Sequence, residues 1–185
     1  MAAKIKYGIS SVYYSKITEA GTPPTISYGS PVAWPGAVSL SVSASGEEND
    51  FFADNVIYFG QYANNGYEGE LETALIPESF WTDILGYTAD GTYLVENSNA
   101  VAANFALGFQ VQTDDDPIMY WFLYCSASRP NTDANTKEDA IEPQTDTVSI
   151  KLMPRPDTGD VRIRTTDSST DAERADWFDA VVEPS

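Results

Sequence analysis

Apolar and polar residues alternate with a period of two along most of the chain, and stretches with a helical period are few. Alternation of this kind places apolar side chains on one face of a β-strand and polar side chains on the other. The first run contains the doublet Ser10-Ser11, which shifts the phase of the alternation as a β-bulge would. The predicted strands cover residues 4–14, 38–43, 70–75, 105–111, 118–125, 147–152 and 161–164. The pattern therefore predicts a mainly β protein.

One of these runs, Ile118–Cys125, is apolar on both faces of the strand that it predicts. Such a strand lies in the centre of a sheet or has its second face packed on another element. The preceding Asp114-Asp115-Asp116-Pro117 is rich in turn residues, so we expect it to join this strand to residues 105–111 as a hairpin. The single cysteine, Cys125, ends the apolar run and is therefore predicted to be a buried core residue and not a nucleophile.

Two short helices are predicted beside the strands. Pro77 suits the first position of a helix, and Gly86 supplies a stop signal nine residues later. Near the C-terminus, Thr170 and Glu173 have the spacing of a capping box and precede an apolar stripe. The predicted fold is an antiparallel β-sandwich or barrel with one flanking α-helix and a short C-terminal helix or arm over residues 166–185. Its length of 185 residues suits a single domain.

Two long segments lack regular alternation. Residues 44–66 combine acidic, Gly and Asn residues with aromatics, and residues 128–146 are polar with two prolines. Long loops in compact domains are commonly functional or disordered. Aromatic side chains favour burial against a partner over simple disorder, so we predict a long interaction loop over residues 44–66. Its candidate contact residues are Phe51, Phe52, Tyr58, Phe59 and Tyr62.

The charge balance excludes several function classes. The chain has 10 Lys and Arg against 28 Asp and Glu, which gives a net charge of −18, and it has no histidine. Affinity for phosphate backbones and anionic membranes rests on cationic side chains, so tight nucleic-acid binding and membrane association are not expected. The lack of histidine excludes Ser-His and Cys-His catalytic pairs and imidazole zinc sites. The N-terminal residues contain no apolar signal core, so we expect synthesis without a secretion signal.

Carboxylates supply the remaining candidate chemistry. The successive aspartates Asp114–Asp116 could ligate a divalent cation, but they lack the spaced ligands and the glycine of a calcium loop. Glu68, Glu70 and Glu72 are spaced by two and so share one face of a strand. That face fits a solvated outer sheet surface, half of a glycosidase carboxylate pair, or the negatively lined wall of a channel. No catalytic, cofactor or metal site is predicted from these residues. We therefore expect that the protein is not an enzyme.

Several stretches, taken together in their order and spacing, point to a known family. They are Lys4–Gly8, Val12–Tyr14, Pro35–Leu40, Phe52–Asn55, Asn64–Glu72, Ala74–Pro77, Asp83–Tyr87, Ser128–Pro130 and Thr136–Thr145, followed by an acidic, Trp-bearing C-terminus. The chain thereby resembles the major tail proteins, or tail tube proteins, of long-tailed siphophages that infect Gram-positive bacteria. The resemblance runs from about residue 4 to the end and is weakest over residues 88–103 and 154–170.

This resemblance implies a β-sandwich or barrel-like fold with a flanking helix and no catalytic residues. It implies subunits that form homohexameric rings, which stack into a hollow tube for genome delivery in the virion tail, after synthesis in the host cytoplasm. The implied partners are further copies of the chain, a tape measure protein in the lumen, and the tail terminator and distal tail proteins. Phage DNA would pass through without tight binding, and no membrane is involved.

A conduit for DNA is expected to have a lining that does not bind phosphates. The lumen-facing candidates are Ser39, Ser41, Ser43, Glu68, Glu70 and Glu72. The loop over residues 44–66 is expected to reach the next subunit or the next ring, and deletion of residues 47–57 to leave a folded monomer that cannot polymerise. The alternatives are a tail terminator or capsid decoration protein, and a carbohydrate-binding β-sandwich module with aromatics exposed on one sheet face.

Overall fold

A computed structural model describes residues 4–46, 48–53, 56–132, 134, 136 and 143–184, and over 48–53 and 56–62 it describes the backbone. The described chain is mainly β, with antiparallel sheets and two short helices, which confirms the predicted fold class. The strands are β1 (Lys6–Ala20), β2 (Thr25–Tyr28), β3 (Val32–Trp34), β4 (Ala37–Ala44), β5 (Glu48–Ala53), β6 (Val56–Tyr62), β7 (Tyr67–Thr73), β8 (Thr88–Asp90), β9 (Tyr93–Val95), β10 (Phe105–Thr113), β11 (Ile118–Ala127), β12 (Asp146–Leu152) and β13 (Arg162–Arg164). The helices are α1 (Glu78–Asp83) and α2 (Asp171–Ala175).

The main sheet has nine strands, and seven of them follow the order β2-β1-β10-β11-β12-β7-β4. Strand β3 pairs with β1, and β13 pairs with β11. The hairpin predicted at Asp114–Pro117 is confirmed, because β10 and β11 pair antiparallel with Val111 opposite Ile118. The predicted bulge in β1 is also present, since the register shifts between Ser10 and Tyr13. The chain thus forms one large antiparallel sheet whose order is not the chain order.

The larger core lies on one face of this sheet, and α1 closes it. Phe80 of α1 is fully buried and packs edge-to-face on Tyr14 at 5.2 Å and on Phe105 at 5.4 Å between ring centroids. Leu71 of β7 belongs to the same core, although β7 lies four strands away from β1 in the sheet. Side chains from distant strands can meet in this way because the sheet curls over itself as a sandwich does. The structure places Pro77 one position earlier than predicted, at the N-cap of α1.

A second, smaller core lies on the opposite face of β10 and β11, beneath residues 166–184, which we call the C-terminal segment. Trp121 is fully buried there and packs with Trp177 and Val181 of that segment. The Trp121 indole N–H also donates to the main-chain oxygen of Trp177 at 3.0 Å. The doubly apolar run therefore has its second face covered, as predicted, and Cys125 is buried.

The C-terminal segment begins with the predicted capping box. The Thr170 side chain accepts from the Glu173 backbone, and the Glu173 carboxylate accepts from the Thr170 backbone at 2.7 Å. Arg174 then reaches the β10–β11 turn, where it donates to the Pro117 oxygen at 2.7 Å and lies 3.6 Å from the Asp116 carboxylate. The helix is short: the capping box closes its first turn, and Arg174 in its last turn holds it to the β10–β11 turn.

A second arginine holds the last residues of the segment. The Arg155 side chain is 5% exposed and makes two hydrogen bonds to the Asp157 carboxylate, at 2.9 and 2.8 Å. It also donates to Glu183 at 2.7 Å and lies over the ring of Tyr28. A buried guanidinium is tolerated only where its charge is paired and its donors are used. Arg155 meets that condition and links β2, residues 155–157 and the C-terminal segment.

Replacing Asp157 by Asn should reduce the loss of stability in acid. The Arg155 hydrogen bonds lower the pKa of Asp157 from 3.8 to about 2. A carboxyl whose folded pKa is depressed contributes stability above its ordinary pKa and loses it as the pH falls through the folded value. Urea unfolding followed by circular dichroism should therefore show a steeper loss between pH 4 and 2 for the native chain than for Asp157→Asn. Parallel profiles would contradict this role for Asp157.

The segment predicted as a long loop over residues 44–66 is different in the structure. Strands β5 and β6 form a two-stranded antiparallel sheet of their own between β4 and β7. The prediction missed them because neither strand alternates regularly. Strand β6 has an extra residue, Tyr58, between the partners of Phe51 and Phe52, and β5 has three polar residues followed by three apolar ones. Of the other long segment, residues 133, 135 and 137–142 lie outside the described residues.

Candidate functional site

The two predicted sets of polar residues come together on one surface. Strands β4 and β7 are neighbours, and each serine lies opposite one glutamate across the pair. The pairs are Ser39 with Glu72, Ser41 with Glu70, and Ser43 with Glu68. Each set was predicted to share a strand face, but the sequence did not indicate that the two faces would be adjacent.

Strand β12 extends this surface on the other side of β7. Thr147 lies opposite Glu72, Ser149 opposite Glu70, and Lys151 opposite Glu68. We call the resulting nine-residue surface the polar face. It consists of Ser39, Ser41, Ser43, Glu68, Glu70, Glu72, Thr147, Ser149 and Lys151. The three β12 residues were not among the predicted site residues, although their alternation with buried Val148 and Ile150 is visible in the sequence.

The polar face is the outer side of the curled sheet, because the alternate residues of the same strands point into the larger core. Leu71 and Val148 are fully buried, and Ile150 is 3% exposed. The polar-face residues are exposed in the single chain except Glu72, which is half-buried. Neighbouring rows along a strand are about 7 Å apart. Three carboxylates therefore follow one another along the middle of the face.

The three glutamates differ in their contacts. Glu72 accepts hydrogen bonds from the hydroxyls of Ser39 at 3.0 Å and Thr145 at 2.8 Å. Glu68 lies 3.5 Å from the Lys151 ammonium, but both side chains are more than half exposed, so this ion pair adds little stability. Among the described residues, Glu70 has no hydrogen-bond or ion-pair partner. The face thus carries three carboxylates against one ammonium, and its other side chains are hydroxyls.

A depression of about 520 Å³ lies where the end of β11 meets β12 and β7. Glu68, Glu70 and Lys151 line it together with Ser126 and Ser128. A glycosidase needs two carboxyl groups facing each other across a cleft, whereas these glutamates lie in succession on one strand of an open face. The residues that line the depression are therefore not arranged for acid–base catalysis.

The successive aspartates have structural partners instead of a common ligand. The Asp114 carboxylate accepts hydrogen bonds from the backbone N–H groups of Lys4 at 2.7 Å and Ile5 at 3.2 Å. These hydrogen bonds lower the pKa of its carboxyl group. Asp116 faces Arg174. Within the described ranges, no group of three His, Cys, Asp or Glu side chains is placed to hold a metal ion.

The predicted aromatic contact residues belong to the β5–β6 hairpin. Phe51 and Phe52 lie in β5, and Tyr58, Phe59 and Tyr62 lie in β6. The surroundings of their side chains lie outside what the structure describes, so their role in contacts stays a prediction.

The hairpin joins the main sheet through a narrow root. Ser45 donates its N–H to the Gly66 oxygen at 2.9 Å, and Asn65 donates to the Ser45 oxygen at 3.0 Å. A Cβ at Gly46 would collide with the Ala63 oxygen, and one at Gly66, whose φ is +90°, with the Leu152 oxygen. Two glycines thus allow the close backbone approach at the point where the hairpin leaves the sheet.

No protein-family model matches the chain, and no curated protein matches it significantly. Within the part of the chain that the structure describes, no helix is long and apolar enough to cross a membrane.

Proposed function

We propose that the chain is a tail tube subunit of a long-tailed phage, which forms hexameric rings that stack into the hollow tail tube of the virion. The observation that carries this proposal is the polar face, whose hydroxyls and carboxylates surround a single ammonium, Lys151. A wall of this composition repels phosphates and presents few apolar groups. It suits a conduit through which DNA and a tape measure protein must pass without being held.

The free edge of β4 supports ring formation. Among the described strands, β4 pairs with β7 and ends the main sheet, so no strand is hydrogen-bonded to its other edge, although part of β4 lies close to β1. Its residues, Ala37–Ala44, include no charged residue and no proline, which are the usual protections of an edge strand. Pairing of this edge with a neighbouring copy would continue the sheet around the ring and join the polar faces of successive subunits into one lining.

Negative-stain electron microscopy of the concentrated protein tests the proposal. We expect hollow tubes of regularly spaced rings, and more of them in high salt than in low salt, because salt screens the repulsion between subunits of charge −18. Isolated rings that never stack would favour a tail terminator. Monomers at every salt concentration, together with binding in a glycan screen, would favour a carbohydrate-binding module and contradict the tube.

The position of the polar face in the tube can be tested by thiol labelling. Burial raises the pKa of the Cys125 thiol, so a cysteine introduced by Ser41→Cys or Glu70→Cys is expected to be the reactive one. We expect it to react in the tube with a small maleimide but not with a maleimide carried by a large polymer. The unassembled variant should react with both reagents, and the native chain with neither. Equal labelling of tubes by the polymer reagent would place the polar face on the outer wall.

A further inference from the structure

An exposed strip at the N-terminal end of β1 combines apolar and cationic side chains. Ile5 is 60% exposed and Tyr7 is 54% exposed, and they alternate with exposed Lys4 and Lys6. Among the described residues, neither lysine has an ion-pair partner. The hydrogen bonds from the backbones of Lys4 and Ile5 to Asp114 hold the beginning of this N-terminal strip (Lys4–Tyr7) against the β10–β11 turn.

The composition of the N-terminal strip is unusual for this chain. The other large apolar side chains found exposed in the described ranges are Val38, Leu75, Tyr93, Val95 and Val101. None of them lies between two lysines, and the arginine associated with the β8–β9 hairpin, Arg129, is paired with Glu96 at 3.0 Å. An exposed apolar patch commonly marks a contact site, and in a chain of charge −18 a contact between copies is favoured where cations are available.

The β5–β6 hairpin has the complementary composition. Residues 47–62 contain four acidic residues and no Lys or Arg, together with five aromatic residues. Glu48 and Asp50 lie in β5, and their backbones pair with Tyr62 and Gly60 of β6. Acidic and aromatic residues therefore share a short ribbon that joins the main sheet at the narrow root of Ser45 and Gly66.

We propose that the β5–β6 hairpin of one copy binds the N-terminal strip of another copy. Glu48 and Asp50 would pair with Lys4 and Lys6, and hairpin aromatics would cover Ile5 and Tyr7. Opposite charges at such a contact set the register and the choice of partner, and the apolar side chains supply the burial. This inference rests on the proposed function, since it identifies a contact between copies within the assembly.

A charge-swap experiment on the full chain tests the contact. The variant Lys4→Glu/Lys6→Glu should need about tenfold more protein for tube formation, because reversed charges turn attraction into repulsion at the site. Adding Glu48→Lys/Asp50→Lys to the same chain should restore assembly, since the attraction is then rebuilt with opposite signs. Circular dichroism of each unassembled variant shows that it is folded, and Lys4→Gln/Lys6→Gln removes the charges without reversing them.

Two further measurements distinguish this contact from a general effect of net charge and from a contact between the hairpin and the strip of the same chain. Lys16→Glu/Arg164→Glu makes the same change in net charge at other exposed positions, and we expect it to assemble at nearly the native concentration. In tubes mixed from light and ¹⁵N-labelled chains, carbodiimide should link Lys4 or Lys6 of one isotope to Glu48 or Asp50 of the other.

Three results would overturn the proposal: normal assembly of Lys4→Glu/Lys6→Glu, an equal defect in Lys16→Glu/Arg164→Glu, or crosslinks confined to chains of one isotope. In each of these cases the native chain still forms tubes, so the proposed function stands. A native chain that forms no tubes contradicts the proposed function and this contact with it.

Discussion

A chain that lacks residues 48–62 should fold as the full chain does and should form no tubes. This excision removes both strands of the β5–β6 hairpin and joins Glu47 to Ala63. Strands β4 and β7 keep their own pairing, from Ser39–Glu72 to Ala44–Tyr67. The main sheet therefore retains its order, while the assembly loses the segment that we propose to make contacts between copies.

The boundaries of this excision come from the structure. The deletion of residues 47–57, which the sequence suggested, would leave Tyr58–Tyr62 as a strand without its partner β5. An unpaired strand of aromatic residues is itself an aggregation risk, which would confuse the result. Excising whole strands avoids that problem.

The measurement combines thermal unfolding with electron microscopy. We expect the excised chain to unfold within a few degrees of the full chain, since a change of 1 kcal/mol in stability shifts Tm by about 2–4 °C in domains of 150–250 residues. A matched control removes residues 89–94, most of the exposed β8–β9 hairpin, and should leave tube formation intact. Normal tubes from the 48–62 excision would show that the hairpin has no part in assembly.

The sequence predicts what is local in this fold. A period of two is enough to assign Ser39 and Glu70 to strand faces, because successive side chains of a strand point to opposite sides. The capping box at Thr170 and Glu173 could also be predicted, because it depends only on two residues that are three positions apart in the sequence. The apolar run that contains Trp121 predicted that the second face of this strand would be covered, and the C-terminal segment packs on that face.

Contacts between segments that are far apart in the sequence could not be predicted. Ser41 faces Glu70 because β4 pairs with β7 across an intervening hairpin, and Ser149 joins them only because β12 completes the row. The link between Arg155 and Glu183 spans 28 residues and has no local pattern. The hairpin itself was not predicted because an extra residue at Tyr58 breaks the alternation in β6, and β5 groups its polar and apolar residues instead of alternating them.

Replacing Trp177 by Ala should cost about 3–5 kcal/mol of the free energy of unfolding. The Trp177 side chain is 6% exposed and fills the smaller core against Trp121. Its removal leaves a cavity between the C-terminal segment and the second face of β10 and β11. Because domains of this kind are stable by only about 5–15 kcal/mol, the loss would be a large part of the total.

Trp177→Phe is the informative comparison, because it keeps an aromatic ring and removes the indole N–H. That N–H is buried and has no hydrogen-bond partner among the described residues, so its removal relieves an unsatisfied donor. The main-chain oxygen of residue 177 still accepts from the Trp121 indole at 3.0 Å. Denaturant unfolding followed by far-ultraviolet circular dichroism should therefore place Trp177→Phe much nearer the native chain than Trp177→Ala. If both variants lost the same large amount of unfolding free energy, the indole N–H would have a hydrogen-bond partner. If both were as stable as the native chain, the C-terminal segment would not cover this face in solution.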